Sequence, residues 1–299
     1  MINYIINVIL YLYFPFTLLA MIYYIIVYES KQLTFLKMIV SELPVAQLSE
    51  DETFHEYKKG SNPRYSLFYL PIGIYKIYFL TWTKDKKFHF LKILSLKKLC
   101  DKKIEEKESR LQSVCNDSYE KYSTSNETEK KFHIELLQDQ CKELQDREKV
   151  AQFKAGFYLT SLVLIAGAII KSINSADLIY QWNCYIQASF ALIFLYIINV
   201  IILLFGFISV KKYKAERYSD FRNSEDKEKS YYTYWYKKFQ RLQVYSTNDI
   251  SFVLNIEKYL KLIVLWLVIF ISLLVFKGEK QCYKNHIYQN MNLTYKIIK

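Results

Sequence analysis

YIQASFALIFLYIINVIILLFGFISV, Tyr185 to Val210, runs for 26 positions without a charged side chain. A bilayer core about 30 Å thick needs about 20 mostly apolar residues at 1.5 Å each, so this stretch is long enough to cross one. Three further runs share its character. Ile2 to Tyr28 carries no charge until Glu29. It lacks the basic start and small-residue cleavage site of a signal peptide, and reads as a retained helix with Pro15 as a kink. Ala155 to Ile170 lies between Lys154 and Lys171. Leu262 to Phe276 is shorter, and the snorkelling stems of Lys261 and Lys277 lengthen it.

Composition agrees with this reading. Hydrophobic residues make up 52% of the 299 and aromatics 17%, with only 6 Gly and 4 Pro. A soluble domain mixes apolar and polar residues at helix or strand period. Here the apolar residues are gathered into runs and the charges stand between them. The expected fold class is therefore mainly α: a polytopic helical membrane protein of about four transmembrane helices, with cytoplasmic helical segments and a small β-meander.

Lys and Arg set the orientation, because they stay in cytoplasmic loops. The chain holds 41 of them against 29 Asp and Glu. Tyr28 to Lys154 carries 23 and Lys211 to Lys261 carries 12, whereas Ser172 to Cys184 has only Asp177. Both large polar segments thus fall in the cytoplasm and both termini outside, as in a multi-pass protein of the cell inner (plasma) membrane. The resulting divisions are a first span, 1–28; a cytoplasmic segment, 29–126, with an amphipathic interfacial helix at Lys31 to Leu48 and a β unit; and a cytoplasmic helix, 127–154, continuous with the next span. Spans two and three follow as a hairpin, 155–210, then a basic connection, 211–261, a fourth span, 262–276, and an outer tail, 277–299. The positive balance is read as attraction to anionic head groups, with the lipid bilayer as partner and nucleic acid not expected.

Tyr65 to Trp82, YSLFYLPIGIYKIYFLTW, has the length of a span but carries Lys76 near its middle. An unpaired Lys there costs about 2.5–3.5 kcal/mol. Pro71 and Gly73 split the run into two strand-length pieces, and Phe88 to Leu96 supplies a third, which predicts a β-meander near the membrane. A span or re-entrant hairpin is the alternative. Further on, LKKLCDKKIEEKESRLQ reads as helix, NDSYEKYSTSNETEK as loop, and Asn126 to Glu129 as a helix start. The aromatic stretch Tyr231 to Tyr245 is assigned to the membrane interface.

Ile134, Leu137, Cys141, Leu144, Glu148, Ala151, Ala155 and Tyr158 recur at spacings of three and four, a seam that enters the second span unbroken. It fits a coiled coil that transmits force to the span, or one face of a local helical hairpin. Within the bilayer, Gly156, Ala166 and Gly167 offer close helix approach, and the amide of Asn199 seeks a partner helix. These are the packing candidates, either between spans two and three or between copies in a homo-oligomer.

Arg147 to Ile170, REKVAQFKAGFYLTSLVLIAGAII, ends a charged amphipathic helix in Lys154-Ala155 before a short span with Leu159-Thr160. With the span that follows, residues 145–210 resemble the two-helix transmembrane effector modules of bacterial anti-phage and nucleotide-signalled systems. The first span, the middle segment and the fourth span depart from that pattern. The resemblance implies pore formation in antiviral defence: oligomerisation on a signal, from a cytoplasmic protein or a small molecule, and permeabilisation of the inner membrane. A membrane-tethered scaffold for a cytoplasmic partner is the rival expectation.

Catalytic chemistry has no foothold. Six scattered glycines build no phosphate loop, His55, His89, His133 and His286 have no partners at metal spacing, and no hydrolase or zincin motif occurs. No enzyme activity, metal or cofactor is expected. Five cysteines at wide spacings give no zinc or disulfide framework, although Cys184 and Cys282 fall on the same outer side.

Overall fold

The computed structural model describes residues 13–15, 17–22, 39–50, 63–83, 87–173, 184–208 and 226–297. After a short apolar helix at Tyr13–Ile22, the described residues form four antiparallel strands: β1, Gln47–Glu50; β2, Pro63–Ile72; β3, Tyr75–Thr83; and β4, Phe88–Ser95. The stretch expected to be an interfacial helix ends instead in a turn at 41–45 and the start of β1, because Gln47 and Leu48 pair with Ser66 and Tyr65. They form one sheet in the order β1-β2-β3-β4, a meander. The turn between β2 and β3 centres on Gly73 at φ +57°, a left-handed conformation that suits glycine. The register pairs Pro71 with Lys76 and Tyr69 with Tyr78.

Helices follow: α1, Leu96–Ser123; α2, Glu127–Ile173; α3, Cys184–Ile208; and α4, Lys227–Ile297. Ser95 caps α1, its hydroxyl accepting from the Lys98 N–H at 3.4 Å. Between α1 and α2 stands a reciprocal capping box. The Glu129 N–H donates to the Asn126 side chain at 2.8 Å, and the Asn126 N–H donates to the Glu129 carboxylate at 3.2 Å.

Among the described residues, three helices are long and apolar enough to cross a membrane: Glu127–Gly167 within α2, Tyr185–Ile208 within α3, and Lys227–Val275 within α4. The fourth apolar run, 262–276, is therefore the middle of a 71-residue helix rather than a separate element. The first run lies mostly outside the described residues, which include an apolar helix at Tyr13–Ile22.

Two further differences from the sequence reading have clear causes. The polar stretch taken as a loop continues α1 to Ser123, because Tyr119 and Tyr122 pack on Tyr232 of α4, with Tyr122 stacked at 4.3 Å. The aromatic stretch beginning at Tyr231 supplies side chains to a helix bundle. Tyr232, Trp235, Tyr236 and Phe239 cluster with Tyr122, Ile134 and Leu137 inside a bundle of α1, α2 and α4. Tertiary contact overrides local polarity in both places.

The larger core gathers α3, α4, the inner side of α2, the start of α1 and the segment 39–45. Antiparallel alignment of α3 on α4 shows in two ring pairs, Phe190 with Phe270 at 5.9 Å and Tyr196 with Tyr259 at 5.8 Å. The second half of α3, with Val200, Leu203, Leu204 and Phe207, packs beside Phe252, Val253 and Ile256 of α4. Both α2 and α3 pack chiefly on α4 and meet each other only slightly. The hairpin expected from spans two and three is thus a matter of connection; α4 supplies the packing surface for each.

Candidate functional site

Ser41-Glu42-Leu43 precedes β1 in a turn, and Glu42 is fully buried. An isolated buried carboxylate is strongly disfavoured, so its partners decide whether it stays charged. Lys258 of α4 donates to Glu42 Oε1 at 2.6 Å and to Ser41 Oγ at 3.1 Å. Lys76 of β3 stands 3.5 Å from the same oxygen. Tyr69 of β2 and Tyr259 of α4 donate to Oε2 at 2.8 Å and 2.9 Å. Tyr196 of α3 donates to the Glu42 carbonyl at 3.1 Å. Through its carboxylate and its carbonyl, Glu42 therefore ties together the turn, two strands and two helices.

Burial alone would raise the Glu42 carboxyl, but Lys258, Lys76 and the Tyr69 hydroxyl outweigh it and hold the group at about 2. Glu42 is ionised throughout the physiological range. Burial, and then the charge of Glu42, pushes the Tyr69 phenol well above its ordinary value. With two cations and two phenols fixed on one carboxylate, the network is a clamp rather than a proton shuttle. Lys76, the residue that argues against a span at 65–82, is the contribution of β3 to it.

The hairpin tip is held a second way. Asn199 Oδ1 accepts the Gly73 N–H, and its amide donates to the Leu195 carbonyl at 2.9 Å. A Cβ at Gly73 would collide with Ile202, and one at Gly206 would sit 3.0 Å from Ile74 Cγ2. The two glycines let a β-turn lie directly on a helix. Asn199 has a partner, as a buried amide must, but that partner is a turn and not a neighbouring span.

No family model matches this chain, and neither curated proteins nor solved structures gave a match.

The remaining predicted residues fall in different places. Ile134, Leu137, Cys141 and Ala151 are buried and Leu144 is half-buried. This seam faces α4 and α1 of the same chain, with Ile134 and Leu137 in the aromatic cluster and Cys141 Sγ 4.0 Å from the Trp235 carbonyl. Gly156 and Gly167 are exposed, with nothing within 4 Å of a Cβ built on either, while Ala166 is half-buried. Cys100, Cys115 and Cys141 are buried and none of them is in a disulfide; the side chains of Cys184 and Cys282 lie outside the described ones.

A further layer of charge marks where the apolar runs begin. Glu257 accepts from Lys154 at 3.1 Å and from Tyr158 at 2.6 Å. The Tyr158 hydrogen bond, opposed by desolvation and aided by Lys154, holds the Glu257 carboxyl below its ordinary value. Glu257 and Lys258 are neighbours, so this pair and the Glu42 clamp occupy one level of the molecule. Sequence reasoning missed Glu42, Tyr69, Lys258 and Tyr259. The available signal was Glu42 itself, the one charge between Lys37 and Glu50 in an otherwise apolar and neutral stretch.

Proposed function

We propose that this chain is a multi-pass inner-membrane protein that acts as an oligomerising effector or channel-like protein, gated by its cytoplasmic segments. The observation that carries the reading is continuity. α2 has 47 residues and α4 has 71, roughly 70 and 105 Å at 1.5 Å per residue. Each is far longer than a bilayer core of about 30 Å. Neither breaks between the polar bundle and its apolar run, so tilt or rotation of the bundle reaches the membrane undamped.

Placing the bilayer on Ala155 to Ile170 and Leu262 to Phe276 puts Lys154, Glu257, Lys258 and Lys261 at its cytoplasmic boundary. The first half of α3 then crosses beside Leu262 to Phe276, and its second half is clothed by α4 and the hairpin tip. Large side chains on all three helices point away from the core, among them Phe157, Leu164, Phe194, Val264 and Val268. That is the surface lipid requires. The resting lock is the Glu42 clamp, which binds the sheet to α3 and α4. The open faces at Gly156 and Gly167 are where copies would meet.

Purified protein in liposomes loaded with a self-quenched dye tests this reading. Leakage under a cytoplasmic trigger, or spontaneously when Glu42 is replaced, is expected. Tight vesicles under both conditions would refute the pore.

The second reading, a membrane-tethered scaffold, draws support from the seam, since Ile134, Leu137 and Cys141 are already covered within the chain. Exchange of the apolar part of α2 for an unrelated Leu-rich helix separates the two. A scaffold keeps its function after the exchange and an effector loses it.

A further inference from the structure

An antiparallel sheet with one covered face normally turns its apolar side to the core and its polar side to water. Here the arrangement is reversed. Side-to-side alternation changes phase at Leu80, whose φ is +49°. The face turned toward the helices therefore carries Arg64, Ser66 and Thr81 on one side of that break and Tyr69, Lys76 and Tyr78 on the other, all buried, with Arg64 over the Tyr78 ring. The opposite face carries Tyr65, Tyr75, Trp82, Phe88, Leu91 and Ile93, all exposed, with Tyr65 at 54%, Phe88 at 51% and Ile93 at 54%. Cross-strand ring pairs knit that face together, Phe68 with Phe79 at 5.6 Å and Trp82 with Phe88 at 5.1 Å. Contiguous exposed apolar surface of this kind marks a contact with something other than water.

We infer that the outer face of the sheet rests on the cytoplasmic surface of the bilayer, at head-group level, and engages anionic lipid. The inference rests on the membrane reading above and adds a second lipid-binding element to it. Three observations select lipid as the occupant.

The apolar helix Tyr13–Ile22 touches this same face. The Tyr13 ring lies 6.5 Å from Phe68 and its hydroxyl donates to the Leu67 carbonyl at 2.7 Å. That helix leaves Phe14, Leu18 and Leu19 exposed, so its lipid-seeking surface runs on into the sheet.

Chemistry is the second. Tyr and Trp favour the bilayer interface. Lys87 is exposed beside Phe88 at the start of β4, and its cation suits anionic head groups.

Depth is the third. β4 is an open edge of the sheet, and unpaired backbone groups cannot enter hydrocarbon. The sheet therefore stops at the boundary, the level at which Lys76 and Lys258 meet Glu42.

The full chain in nanodiscs of phosphatidylcholine and phosphatidylglycerol provides the test. Trp182, Trp235 and Trp266 are replaced by Phe, leaving Trp82 as the fluorophore. Lipids brominated near the head group should extinguish most of its emission, aqueous acrylamide should not, and omission of phosphatidylglycerol should weaken the bromine effect. Quenching by acrylamide alone would overturn the proposal. Protection from both quenchers would also overturn it, because a second copy or another segment of this chain would then cover the face. A companion variant with all four Trp replaced by Phe and Phe194→Trp reports on α3. If that residue also escapes brominated lipid, the membrane reading itself fails; if only Trp82 escapes, the sheet proposal fails alone. The wild-type chain provides a check independent of these substitutions. A lipid-soluble diazirine should label the peptide containing Phe88 to Ile93, and a water-soluble footprint there instead would contradict the placement.

Discussion

Asn199 and Gly73 are 126 positions apart, yet the side-chain oxygen of the first accepts the backbone N–H of the second. This bond seats the β-hairpin on α3. Asn199→Leu leaves a buried N–H unsatisfied, which costs about 1–3 kcal/mol. The variant should melt earlier in detergent than the parent. Gly73→Ala should be worse, since it adds both a clash with Ile202 and a strained φ of +57°.

Glu42 gives a pH signature. Its folded carboxyl sits at about 2, below the ordinary value of 4.5. A depressed carboxylate stabilises the fold fully above its unfolded pKa, and that contribution vanishes as pH falls through the folded value. Stability in detergent should therefore decline between about pH 4.5 and about pH 2. Glu42→Gln should flatten this decline while lowering stability at neutral pH. Removing one partner of a buried pair typically costs about 3–5 kcal/mol. Glu42→Gln combined with Lys258→Met should recover part of that loss. Thermal unfolding across pH for the single and double variants reads both effects.

Much of the architecture was legible in sequence, and the misses share a physical origin. The uncharged runs at 155–170, 185–210 and 262–276 overlap the three helices that, among the described residues, are long and apolar enough to cross a membrane. Pro71 and Gly73 announced the β-turn, and Asn126 with Glu129 announced a helix start, because turns and caps are decided by neighbours in the chain. By contrast, Tyr119 and Tyr122 look like loop residues until Tyr232 arrives from α4. Lys76 looks like an obstacle until Glu42 and its second cation are in place. Long-range pairs leave no local periodicity to read. The exposure of Gly156 and the pairing of Asn199 with a β-turn were equally invisible, since a small or polar residue in an apolar run does not say which helix or strand lies opposite.

The cap between α1 and α2 offers a simpler check on the bundle. Asn126→Ala removes the acceptor for the Glu129 N–H and should cost about 1 kcal/mol. Hydrogen exchange should then quicken in the first turn of α2 and leave α3 unchanged.

Gly156 and Gly167 have open space where a Cβ would stand. Leu at either position should leave monomer stability unaltered in detergent. If copies meet on this face, the same variants should lose cross-linked dimers and larger species in membranes. Unchanged cross-linking would remove these glycines from the assembly surface.

In the proposed topology, α2 carries the chain from a cytoplasmic bundle to the far side of a bilayer. Single cysteines at Gln145 and at Ser175, in a background lacking the native five, can be probed with a membrane-impermeant maleimide in sealed right-side-out vesicles. The account predicts labelling at position 175 alone, with position 145 reacting only after the vesicles are opened. Equal labelling of both positions in sealed vesicles would place them on one side and contradict it.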